Sequence, residues 1–105
     1  MAHRDLHVLD AAAQASDRIG RLIDRSRRPL LHTRQLRDAA QGIGANIAEG
    51  FGRGTPRDRA RVLCIARAEA EEAIYHLGTN FRAHRISASD YWAIHHLLVV
   101  IVKML

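Results

Sequence analysis

Apolar residues recur at alternating intervals of three and four through successive segments of this chain, the spacing of α-helices that each bury one side. The first segment, about His3 to Arg25, carries Leu9, Ala12, Ser16, Ile19 and Ile23. The second, roughly His32 to Phe51, carries Leu36, Ala40, Ile43, Ile47 and Phe51. The third, from Pro56 to about Ala83, carries Leu63, Ala66, Ala70, Ile74, Leu77 and Phe81; at 1.5 Å per residue it is roughly 40 Å long. A fourth starts at Ser87 or Ser89 and runs to Leu105. Four such helices with short connections predict an all-α fold, an up-down-up-down antiparallel four-helix bundle.

The breaks between stripes support the same division. Pro29 disfavours a helical residue before it, so the first helix stops near Ser26-Arg27-Arg28. Gly52-Arg53-Gly54 ends the second, glycine being suited to a left-handed cap. Thr55-Pro56-Arg57-Asp58 then has a capping hydroxyl, a proline at the first helical position and an acid to complete a capping box. With 105 residues, 48% of them hydrophobic and 26% charged, the chain is long enough for one core and too apolar for disorder, so residues 1–105 form a single domain. Its single cysteine, Cys64, excludes an internal disulfide and a cysteine-rich zinc site, and fits a reducing compartment. The N-terminus lacks a signal-peptide core, and no run approaches the roughly 20 apolar residues that cross a bilayer. The expected location is the cytoplasm, with no membrane partner.

The fourth helix is apolar nearly all round, since between Tyr91 and Leu105 only His95, His96 and Lys103 are clearly polar. A helix with two apolar faces is buried on two sides. It is too short to span a membrane and lacks the basic face of an interfacial anchor. Ile65 and Tyr75 also fall off the stripe of the third helix. Burial between copies of the chain is therefore expected, with Ile65, Tyr75, Trp92, Leu97, Val100 and Met104 as the interface.

Net charge is +5, and Lys103 is the only basic residue that is not arginine. Arginine grips phosphate with two parallel donors, so RNA or DNA is a candidate partner; GC-rich codon usage and an ordinary solvated surface explain the same bias. Arg18, Arg21, Arg25, Arg27 and Arg28 gather towards the end of the first helix, and Arg34 and Arg37 open the second. Arg53, Arg57, Arg59 and Arg61 surround the next turn. In an up-down bundle the first two groups share one end and the third lies at the other. No recognition-helix motif accompanies them, so contact would be with backbone or shape.

Other chemistry has less support. The seven histidines include no His-Glu-x-x-His or Glu-x-x-His pair, so no metal or other cofactor is expected. Cys64 lacks a catalytic context and reads as a small apolar residue. Arg27 and His32 loosely resemble the Arg-x4-6-His element of small helical ribonucleases, a match that chance readily supplies in a chain rich in both residues. No small-molecule substrate is inferred.

The second helix holds polar groups beside its apolar stripe, namely Gln35, Asn46, Glu49 and Arg53, together with Gly42, Gly44 and Gly50. Each mid-helix glycine costs about 1 kcal/mol against alanine, which close approach of a neighbouring helix would offset; Ala40, Gly44 and Ala48 form a small-residue groove. Glu49 and Arg53 are spaced to pair, so the polar cluster reads as a register-fixing device or as a binding patch. The strings Gln35-Leu36-Arg37-Asp38-Ala39 and Asn46-Ile47-Ala48-Glu49-Gly50-Phe51-Gly52-Arg53, followed by Leu63-Cys64-Ile65-Ala66, resemble the four-helix-bundle proteins first noticed as reading frames in intervening sequences of bacterial 23S ribosomal RNA genes. The resemblance is close from about Gln35 to Leu77. Two departures stand out: Glu69 where the family has Ser, and a connection between helices one and two without the family's aromatic-proline and acidic stretch. The resemblance implies a closed bundle assembling into a ring, typically of five subunits, with a basic surface for nucleic acid and no established catalytic residues. The expected function is thus a non-enzymatic homo-oligomeric scaffold that binds RNA or DNA non-specifically; the alternatives are a protein-only adaptor and a small ribonuclease using Arg27 and His32.

Overall fold

The computed structural model describes residues 2–105. They form α1 (His3–Arg25), α2 (Thr33–Phe51), α3 (Pro56–Arg82) and α4 (Ala88–Met104). Each helix packs on its two neighbours in the cyclic order α1, α2, α3, α4, and neither diagonal pair makes close contact. The result is the expected antiparallel bundle, 45 × 22 × 19 Å, and among the described residues there is no strand.

Two helix starts follow their sequence signals. Thr55 Oγ1 accepts from the Asp58 amide at 3.2 Å, and Ser87 Oγ accepts from the Asp90 amide at 3.1 Å, each satisfying an orphan donor of a first turn. Ser87, not Ser89, is the α4 cap. Glycine does not make the left-handed turns. Gly52 keeps φ at −85° and closes α2 with bonds to Ala48 O and Glu49 O. The positive φ angles belong instead to His32 (55°) and His84 (57°). Both flank connections that other contacts hold, which offsets the roughly 1–2 kcal/mol that a side chain costs there.

The core confirms the α2 stripe, with Leu36, Ala40, Ile43 and Ile47 buried. In α1 the expected Ala12 and Ile19 are buried, but the rest of the buried face is Val8, Ala11, Ala15 and Leu22, leaving Leu9 and Ile23 half-buried on the flank. Alanines at Ala11 and Ala15 let α1 approach its neighbours closely, so small residues, not the largest ones, set its phase. The same happens in α3, where Val62, Ala66, Ala70, Ala73 and Leu77 are buried and Leu63, Ile74 and Phe81 lie at the edge.

Asn80, on that buried α3 face, is fully enclosed. Its carboxamide oxygen accepts from the Leu31 amide at 2.7 Å, and Nδ2 donates to Leu31 O at 3.0 Å and His76 O at 2.9 Å. Arg85 Nη1 donates to Pro29 O at 2.7 Å. The α1–α2 connection is thus tied to the end of α3 by two-point backbone recognition, with Leu30 and Ile86 buried beneath it.

Candidate nucleic-acid interface

The topology places the end of α1, the start of α2, the end of α3 and the start of α4 at one pole of the bundle. Arg18, Arg21, Arg25, Arg27, Arg28, Arg34 and Arg37 lie towards this pole, and the end of α3 and the turn after it add Arg82 and Arg85, which the sequence grouping omits. Arg53, Arg57, Arg59 and Arg61 occupy the opposite pole with the start of α3.

Acids neutralise about half of the candidate arginines. Arg25 pairs with Asp90 at 2.8 Å, Arg37 with Asp24 at 3.3 Å, and Arg34 and Arg61 pair loosely with Asp38 and Asp58 at 3.9 and 3.8 Å. Arg53 pairs with Glu49. Among the described residues, Arg18, Arg21, Arg27, Arg28 and Arg57 pair with no acid. All five are exposed, so their charge projects into solvent.

Arg18, Arg21 and Arg25 share one flank of α1 and face α4 across a recess of about 240 Å³ whose other walls are Asp90, Ala93 and Ile94. The spacing of three and four puts all three guanidiniums on one side of α1. The small Ala93 opposite them leaves the space open.

Nearly the whole chain, residues 4–105, matches the model of a family described as 23S rRNA-intervening sequence protein. The chain belongs to that family. A similar solved structure is the crystal structure of a protein with unknown function from the S23 ribosomal protein family of Bacteroides thetaiotaomicron VPI-5482. It is 27% identical, with a TM-score of 0.89 over 96% of this chain and 93% of that one. Among curated proteins, none matches.

In this chain the polar group of α2 divides into separate contacts. Asn46 Nδ2 donates to Gly42 O at 3.0 Å and to the Glu69 carboxylate. Glu49 takes Arg53 one turn on. Gln35 stands exposed about 16 Å away along the helix and makes no hydrogen bond among the described residues. Glu69 therefore meets the family's Asn directly. Burial raises its pKa above the ordinary 4.5, the bond from Asn46 opposes the rise, and the charge of Glu72 adds to it. The glycines that matter face α3: a methyl on Gly42 would overlap the Glu69 carboxylate, and one on Gly50 would meet Leu63 Cδ2 at 2.8 Å. Gly44 has only an ordinary 3.8 Å contact with Ala12, and Ala48 is exposed, so the Ala40-Gly44-Ala48 groove is not the close approach.

The interface residues are unequally exposed. Ile65, Tyr75 and Trp92 stand 43%, 63% and 57% exposed. Leu97 and Met104 pack partly against their own core, and Val100 is half-buried. A single subunit thus covers more of α4 than its composition suggests. Trp92 rests edge-on against Tyr91, which stacks on Phe81 at 4.2 Å.

Arg27 and His32, the ribonuclease pair, are both exposed. The His32 ring lies 5.1 Å from that of His76, a buried residue whose Nε2 is 3.6 Å from Glu72. The structure thus brings His32 to another histidine, and shows no contact between it and Arg27.

Proposed function

We propose that this protein is a non-enzymatic, self-associating four-helix scaffold, assembled as a pentamer, that holds RNA or DNA by its phosphates without reading base sequence. The observation that carries this is the pole at which Arg18, Arg21, Arg27 and Arg28 project with no acid partner. Repeated around a ring, that pole multiplies phosphate contacts. Self-association draws support from the exposed Tyr75 and Trp92, large apolar rings that a lone subunit leaves in water.

Filter binding of RNA and DNA across a salt series tests the proposal. The logarithm of the binding constant should fall linearly with the logarithm of salt concentration, and each of Arg27→Gln and Arg28→Gln should reduce the slope by about one. Absence of retention at low salt, with self-association intact in light scattering, leaves the protein-only adaptor. A monomer at micromolar concentration would remove the scaffold. RNA recovered intact after long incubation sets aside the ribonuclease, whereas cleavage abolished by His32→Ala would install it.

A further inference from the structure

We infer that the recess between α1 and α4 is a binding site for a phosphate monoester, held by Arg18 and Arg21. Three guanidiniums against the single carboxylate of Asp90 leave the recess with two net positive charges. A phosphate monoester carries about −1.5 to −2 at neutral pH, whereas each internal phosphodiester carries one negative charge. The charge of the recess therefore matches a terminal or free phosphate better than a strand interior.

Other arginines of the bundle are held by acids: Asp24 holds Arg37 across from α1 to α2, and Glu71 holds Arg67 on α3 at 3.2 Å. In the recess Arg18 and Arg21 lie one turn apart without one. Asp17, four residues before Arg21, is exposed and makes no ion pair with it. Like charges at this spacing repel, and an anion between them would remove that repulsion. The recess is also built as a concavity: Ala93 supplies a wall without bulk, Ile94 is buried at the base, and the 2.8 Å Arg25–Asp90 pair ties α1 to α4 alongside. Asp90 opposes an incoming anion, so it sets an upper limit on affinity that can be lifted.

The site shares residues with the proposed nucleic-acid surface but does not depend on it. Calorimetric titration of the full chain with inorganic phosphate tests it. Saturable binding at one site per chain is expected, weakened at least tenfold in the Arg18→Gln, Arg21→Gln double variant and unchanged in Arg57→Gln at the other pole. Asp90→Asn should tighten binding several-fold, an effect that a merely structural ion pair would not give. All these side chains are exposed or half-exposed, and circular dichroism confirms folding. Equal weakening by Arg57→Gln, or no tightening by Asp90→Asn, overturns the inference. Competition by a 5′-phosphorylated oligonucleotide, its 5′-hydroxyl counterpart and a sugar phosphate identifies the source of the phosphate. Tighter competition by the phosphorylated end assigns a nucleic-acid terminus, and tighter competition by the sugar phosphate assigns a small ligand. Phosphate binding without retention of oligonucleotide removes the nucleic-acid function and leaves the site; retention without saturable phosphate binding does the reverse.

Discussion

Replacing Asn80 by alanine removes the clamp between α3 and the α1–α2 connection. The side chain is fully buried and makes three hydrogen bonds, at 2.7, 3.0 and 2.9 Å, to the amide and carbonyl of Leu31 and the carbonyl of His76. At a net value near 1 kcal/mol each, with Leu31 only partly accessible to replacement water, Asn80→Ala should cost about 2–4 kcal/mol. In a domain of this size each 1 kcal/mol moves the thermal midpoint by about 4–8 °C. Asn80→Asp keeps the volume and the acceptor but aims a carboxylate oxygen at two carbonyls, so near neutral pH it should be at least as harmful. That environment raises the folded-state pKa of the new acid. Its stability contribution is therefore full below the unfolded value of about 3.9 and is lost as pH rises through the folded value. Urea denaturation measures both variants at one fixed protein concentration, which keeps any contribution from self-association the same in each comparison. A loss below about 1 kcal/mol for the alanine variant, or an aspartate variant without extra pH dependence, would refute the clamp.

The glycines should separate by environment. Gly20 has open space where a methyl would sit, so Gly20→Ala should stabilise by about 0.4–1 kcal/mol in the same assay. Gly50→Ala meets Leu63 at 2.8 Å; its overpacking cost of about 1–3 kcal/mol outweighs the helical gain, and adding Leu63→Ala should show positive coupling in a double-mutant cycle. Because burial raises the pKa of Glu69, its contribution is full below 4.5 and declines as pH rises through the folded value. Glu69→Gln keeps an acceptor for Asn46, so it should flatten that decline and raise neutral-pH stability by less than about 1 kcal/mol, as followed by thermal melts across pH.

The bundle and its helix limits were legible because they rest on local chemistry. Thr55 and Ser87 cap where a hydroxyl precedes a stripe, and Pro29 breaks the chain where a helical neighbour is disfavoured. The buried faces of α1 and α3 were less legible, since ranking residues by hydrophobic size favours Leu9 and Ile74 over Ala15 and Ala73. Asn80 and His76 were missed because they are polar, although they continue the three-and-four spacing of Val62, Ala66, Ala70 and Ala73. In the basic pole the arginines themselves were legible. Their pairing was not, because Asp24 and Asp90 reach Arg37 and Arg25 from other helices.

Periodicity and caps act within a few residues, so the amino-acid order alone determined four helices, their ends and the charge they carry. Helix phase, the division of the α2 polar group and the recess beside Arg18 and Arg21 required the neighbouring helices to be in place. Burial and ion pairing depend on what lies a few ångströms away in space: Glu69 finds Asn46, and Asn80 finds Leu31, only after the chain has turned back on itself.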